Sequence, residues 1–133
     1  MNFAEEMRKK TIDVVVRRVA DMISPLFKEI DELINDTAER GLFDIVVRFY
    51  NSNTAEDVFT GEYDDEKKAY IVRGLSELLN QQIAANLCSW HYRDEGFMTA
   101  SNCVTAYNGS QYTTCEISWR KLNNTESNKG TNE

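Results

Sequence analysis

The sequence predicts an α+β fold. Two N-terminal helices share a heptad seam, and strand-helix-strand plus a C-terminal β-hairpin then form a small, mostly antiparallel sheet. Three observations carry this. Ile12, Val16, Val19, Ile23, Leu26, Ile30, Leu33 and Thr37 recur at alternating spacings of four and three, as on a helix that buries one stripe. Phe43, Ile45, Val47 and Phe49 alternate with Asp44, Val46, Arg48 and Tyr50, the period of a strand. Asn108-Gly109, the dipeptide best suited to a tight turn, separates two strand-like runs.

The first helix is expected over about 3–23 and the second over 25–40, because Pro25 lacks a backbone donor and breaks the seam. Ser24 is expected as N-cap, with Pro25 in the first helical position. Arg40 followed by Gly41 suits a helix end: a cation near the negative pole, then a residue that accepts a left-handed cap. The polar stretch from Asn51 to Asp64 reads as a loop, and Asp65 to Asn86 as a third helix with an acidic first turn and Gly74 inside it. Leu87 to Arg93 reads as a short strand. Met98 to Tyr107 and Gln111 to Arg120 form the hairpin, and a two-residue turn at Asn108-Gly109 would set Val104 opposite Thr113 and Met98 opposite Trp119. Met98, Ala100, Val104, Cys115, Ile117 and Trp119 would then face the core.

Organisation follows from this pattern. Residues 1–24 are expected to be an N-terminal oligomerisation helix, 25–120 an α+β domain, and 121–133, without apolar residues after Leu122, a disordered tail. A seam of this length exceeds what one small sheet covers. Ile12, Val16, Val19 and Ile23 are therefore the expected contacts of a homo-oligomer.

Of the 133 residues, 22 are acidic and 15 basic, a formal charge of −7. Phosphate backbones repel such a surface, so no direct nucleic-acid partner is expected. No apolar run approaches the roughly 20 residues that span a bilayer, and the first ten residues lack a signal-peptide core, so the expected place is the cytoplasm. The odd count of three cysteines agrees with a reducing compartment.

Candidate chemistry is sparse. Cys88 and His91 are spaced like half of a zinc knuckle that Cys103 and Cys115 would complete, yet the intervening Ser-Trp has no glycine for the tight turn such sites use. Buried free thiols explain the cysteines better, and neither metal nor cofactor is expected. One histidine in the whole chain leaves acid-base work to undistinguished carboxylates, so no enzyme is expected and no catalytic residue is assigned. Glu56, Asp57, Glu62, Asp64, Asp65 and Glu66 form an acidic run without the spacing of a calcium loop, which suits either a solvated loop or an acidic surface that mimics nucleic acid. Trp90, Tyr92 and Arg93, with Arg48 and Tyr50 on the polar face of the first strand and Tyr107 and Tyr112 nearby, combine aromatic planes with guanidinium groups. That combination suits a compact anionic, nucleotide-like ligand.

Two helical segments closing on Ala38-x-x-Gly41, a strand, a helix, and strands ending on Thr114-Cys115-Glu116-Ile117-Ser118-Trp119 resemble small uncharacterised accessory proteins of tailed bacteriophages over about residues 26–119. The resemblance implies a viral protein acting in the host cytoplasm on a host factor or defence signal, or else a minor virion or assembly component. It supplies no catalytic residue. The expected function is thus non-enzymatic binding or sequestration by a homo-oligomer.

Overall fold

The computed structural model describes residues 2–51, 60–75, 78–107, 109 and 111–120. In chain order the elements are α1 (Phe3–Ile23), α2 (Leu26–Glu39), β1 (Asp44–Asn51), β2 (Thr60–Asp64), β3 (Ala69–Leu75), α3 (Leu78–Asp94), β4 (Met98–Thr105) and β5 (Gln111–Ser118). The strands form one sheet in the order β2-β3-β1-β5-β4, in which only β1 and β3 run parallel. The fold is α+β, with both N-terminal helices and the C-terminal hairpin where the periodicities put them.

The seam breaks at Pro25, though not through a serine cap. Ser24 keeps helical dihedrals and its N–H still donates to the Ala20 carbonyl at 3.1 Å, so it ends α1 instead of opening α2. At the other end of α2, Gly41 takes φ +82°, its N–H reaches the Ala38 carbonyl at 3.0 Å and that of Leu42 reaches Thr37 at 3.2 Å. These paired bonds satisfy the last helical carbonyls and turn the chain into β1.

All three helices cover one face of the sheet. α3 lies across β5, β4 and β1, α2 packs on β1, and the inner half of α1 packs on α3. Ile45, Val47 and Phe49 of β1, Tyr70 and Val72 of β3, and Cys115 and Ile117 of β5 meet Val19, Ile23, Leu26, Ile30 and the α3 stripe Ala84, Ala85, Cys88 and Tyr92. Buried polar groups on this side are paired across layers: Thr113 donates to Gln81 at 2.7 Å, and Ser89 and Thr99 share a hydrogen bond of 2.5 Å.

Three expectations need correction. The end of the expected loop and the start of the expected third helix are the β2–β3 hairpin, β2 lying in the former and β3 in the latter. Asp64 Oδ1 accepts from the N–H groups of Glu66 and Lys67 at 2.9 and 3.0 Å, and Lys68 takes φ +54°, so the acids build a turn. The segment 87–93 is helical, continuing α3 to Asp94. In the C-terminal hairpin Val104 pairs with Tyr112 and Met98 with Ser118, one residue from the expected register. Five residues separate the paired Thr105 and Gln111, and the Gly109 N–H closes a turn on the Ala106 carbonyl at 2.9 Å with Gly109 at φ +86°. An odd loop length swaps the faces of one strand. Cys115 and Ile117 stay inward, whereas Met98 and Ala100 lie exposed and Thr99 turns to the helices.

Candidate functional site

With every helix on one side, no described helix covers the opposite face of the sheet. The even-numbered residues of β1 point there, and register fixes their neighbours: Arg48 lies between Ile71 of β3 and Thr114 of β5, and Tyr50 is opposite Tyr112. The Tyr50 and Tyr112 rings stack at 4.9 Å. The Arg48 guanidinium sits 5.0 Å over the Tyr112 ring and its Nη1 donates to the Tyr50 hydroxyl at 3.3 Å. The guanidinium of Arg73 lies 5.0 Å over the other aromatic ring, Tyr50, and Lys67 approaches the same ring at 6.0 Å.

Electrostatically this is a concentration of cations within an acidic chain. Among the described residues, register puts Glu62, Asp64 and Glu116 on the same face. Asp64 is committed: the Lys67 N–H first, then that of Glu66 and the charges of Lys67 and Arg48, hold its carboxyl below the usual value against a desolvation penalty. Its ion pair with Lys67 measures 3.8 Å. Among the described residues neither Arg48 nor Arg73 has a carboxylate partner, and the Nε of Arg48 is buried without any hydrogen-bond acceptor. Two guanidinium groups held on stacked tyrosine faces, with donors to spare, form a platform for a flat, negatively charged group.

Only part of the ligand set expected from sequence comes together. Arg48 and Tyr50 stand on this face, joined by Tyr112. Trp90, Tyr92 and Arg93 are on α3, across the sheet, because the segment is helix and not strand. Tyr92 is in the core and donates to Asp31 at 2.7 Å, Arg93 reaches Ser89 and Thr99 at 3.4 and 3.2 Å, and Trp90 is 59% exposed. Arg73 and Lys67 were missed, since they lay in an expected helix. The β-branched pair Ile71-Val72 between Tyr70 and Arg73 was the signal for a strand there.

The remaining candidates also separate. Of the expected oligomer contacts, Val19 and Ile23 are each 1% exposed within the chain's own core, Val16 is half-buried, and Ile12 is 46% exposed. The seam is thus internal over its inner half. Glu56 and Asp57 lie outside the described residues, while Glu62, Asp65 and Glu66 are exposed around the β2–β3 turn that Asp64 caps. Cys88 and Cys115 adjoin in the core, where their mutual hydrogen bond and then burial push the Cys88 thiol well above its ordinary range. His91 instead stacks on Phe27 at 4.0 Å, and Cys103 is exposed on β4. Among the described residues no three His, Cys, Asp or Glu side chains cluster as a metal site. Among the described residues no helix is long and apolar enough to cross a membrane.

Comparison with protein-family models, curated proteins and solved structures gives no match for this chain.

Proposed function

We propose that this is a non-enzymatic binding protein of the phage accessory kind. It works as a homo-oligomer and captures a compact, planar anion of nucleotide type on the face of its sheet away from the described helices. The observation that carries the reading is the pair Arg48 and Arg73, each laid on a ring of the Tyr50–Tyr112 stack and neither paired with a carboxylate among the described residues. A phosphate would take the parallel N–H donors of a guanidinium, and a base would extend the aromatic stack. Sequestration of a host signal follows from such binding without chemistry.

Isothermal calorimetry with cyclic nucleotides and adenine nucleotides tests this. A saturable heat below 1 mM is expected, and Arg48→Ala and Arg73→Ala should each weaken binding by at least tenfold, about 1.4 kcal/mol. Trp90→Ala, on the far side of the sheet, should bind as the unaltered protein does. No heat from any of these ligands up to about 1 mM, an affinity worth only about 4 kcal/mol, sinks the reading.

A further inference from the structure

We infer that the exposed edge of β4 pairs antiparallel with β4 of a second copy about a two-fold axis, joining two five-stranded sheets into one. This rests on the homo-oligomeric part of the proposed function and places the contact on the sheet instead of on α1.

β4 ends the sheet and, among the described residues, pairs only with β5. Every second residue of such a strand turns its N–H and C=O away from the sheet, where they can take another strand. Met98, Ala100, Ser101, Asn102, Cys103 and Thr105 are exposed, so the edge is open along its length. Sheets blunt an open edge by shortening it, bending it with a bulge, or placing proline or charge on it. β4 has none of these devices: it runs eight residues in unbroken register with β5, and its sequence MTASNCVT holds neither proline nor charge. The opposite edge is guarded. β2 is five residues long and carries Glu62 and Asp64.

The partner this edge fits is a second copy. With a formal charge of −7, copies repel over much of their surface. Of the five strands β4 alone has no charged residue, so it is the strand along which two copies can approach. An edge is also its own complement when turned about an axis normal to the sheet, because antiparallel pairing exchanges the same donors and acceptors in both directions. Such an axis preserves the faces of both sheets, so each residue meets one from its own face and a central residue, Ser101 or Asn102, lies opposite its mate. Pairing uses one edge of each copy and closes the assembly at two. The same axis sets the helices of both copies on one side and both anion platforms on the other. Arg48 is in line with Thr114 of β5 and Asn102 of β4. With strands about 4.8 Å apart, the five spacings between one Arg48 and the other put the platforms about 24 Å from each other on a common surface.

Sedimentation velocity in a thiol reductant, which keeps the exposed Cys103 from linking copies covalently, is expected to show a dimer at about 100 μM. Amide hydrogen exchange locates the contact: residues 98–105 should exchange at least about tenfold more slowly in the dimer than in the diluted monomer, with residues 3–14 unchanged. Ser101→Lys with Cys103→Lys sets like charges opposite each other whether Ser101 or Asn102 lies on the axis, and is expected to give a monomer. Both positions are exposed, and a circular dichroism melt checks that this variant still folds. Ile12→Asp, in the exposed part of α1, should remain a dimer. A dimer that survives the two lysines, or whose slowed amides lie on α1, overturns the edge pairing and leaves self-association standing. An unaltered protein that is monomeric at about 100 μM overturns both, while nucleotide calorimetry reads the anion site separately.

Discussion

Arg48 shows how one side chain can be both held and available. In register it is flanked by Ile71, 4% exposed, and Thr114, 9% exposed, while its planar head lies on Tyr112. Lysine would keep the charge but neither the flat stacking surface nor the paired donors. Arg48→Lys should therefore weaken nucleotide binding by about tenfold or more with a melting temperature within a few degrees of the original, and calorimetry with a thermal scan reads both. An equal affinity would mean that charge alone matters at this position. That Arg48 and Tyr50 share a face opposite the core was legible because alternation in β1 sets them against its apolar residues. Arg73 was not legible, because side-chain direction depends on knowing whether the segment is strand or helix.

Elements differ in how plainly their residues announced them. α1 and α2 have long, regular apolar stripes and a proline between, and β1 has strict alternation; these periods survive any tertiary context. The β2–β3 hairpin was hidden by Asp64, Asp65 and Glu66, acids that suit a helix start as well as the turn they form by accepting backbone N–H groups. In α3 the inward stripe is Gln81, Ala84, Ala85, Cys88 and Tyr92, small or polar residues whose burial is paid by packing and by the Thr113 hydroxyl, so hydrophobic period alone understates it. The two halves of α1 should respond oppositely to change. Removing residues 1–11 takes away exposed helix and should leave the melting temperature of the α+β domain within a few degrees, whereas Val19→Asp places an unpaired charge at a 1% exposed core position. That costs several kcal/mol, a large share of the 5–15 kcal/mol typical of a domain. Circular dichroism melts compare the two, and a Val19→Asp protein that melts like the original would place Val19 outside the core. A tighter constraint sits at Gly61, where a Cβ would run into the Tyr70 ring. Gly61→Ala should cost about 1–3 kcal/mol by denaturant titration, since Tyr70 must shift away from Glu29.

At the scale of the whole molecule, α2 joins the helical layer to the sheet through two buried phenols. Tyr70 of β3 donates to Glu29 at 3.1 Å, and Tyr92 of α3 donates to Asp31 at 2.7 Å and to the Phe27 carbonyl at 3.4 Å. For both tyrosines burial comes first and the neighbouring carboxylate second in pushing the pKa far above the ordinary value of 10. The sign of the pH dependence follows. Below pH 10 both phenols are protonated in the folded and unfolded chains alike, and their stabilising bonds are fully present. Above pH 10 the unfolded chain loses those protons while the folded one retains them, so stability falls by about 1.4 kcal/mol per pH unit for each tyrosine. Urea unfolding followed by circular dichroism from pH 8 to 11.5 should therefore show a plateau and then a steep decline beginning near pH 10. Tyr70→Phe with Tyr92→Phe should lower stability on the plateau, by about 1.5–3 kcal/mol for each lost bond to a charged group, and flatten the decline. A double variant that declines as steeply as the original would place the alkaline instability elsewhere and show that α2 is held by Leu26 and Ile30 rather than by its phenol bonds.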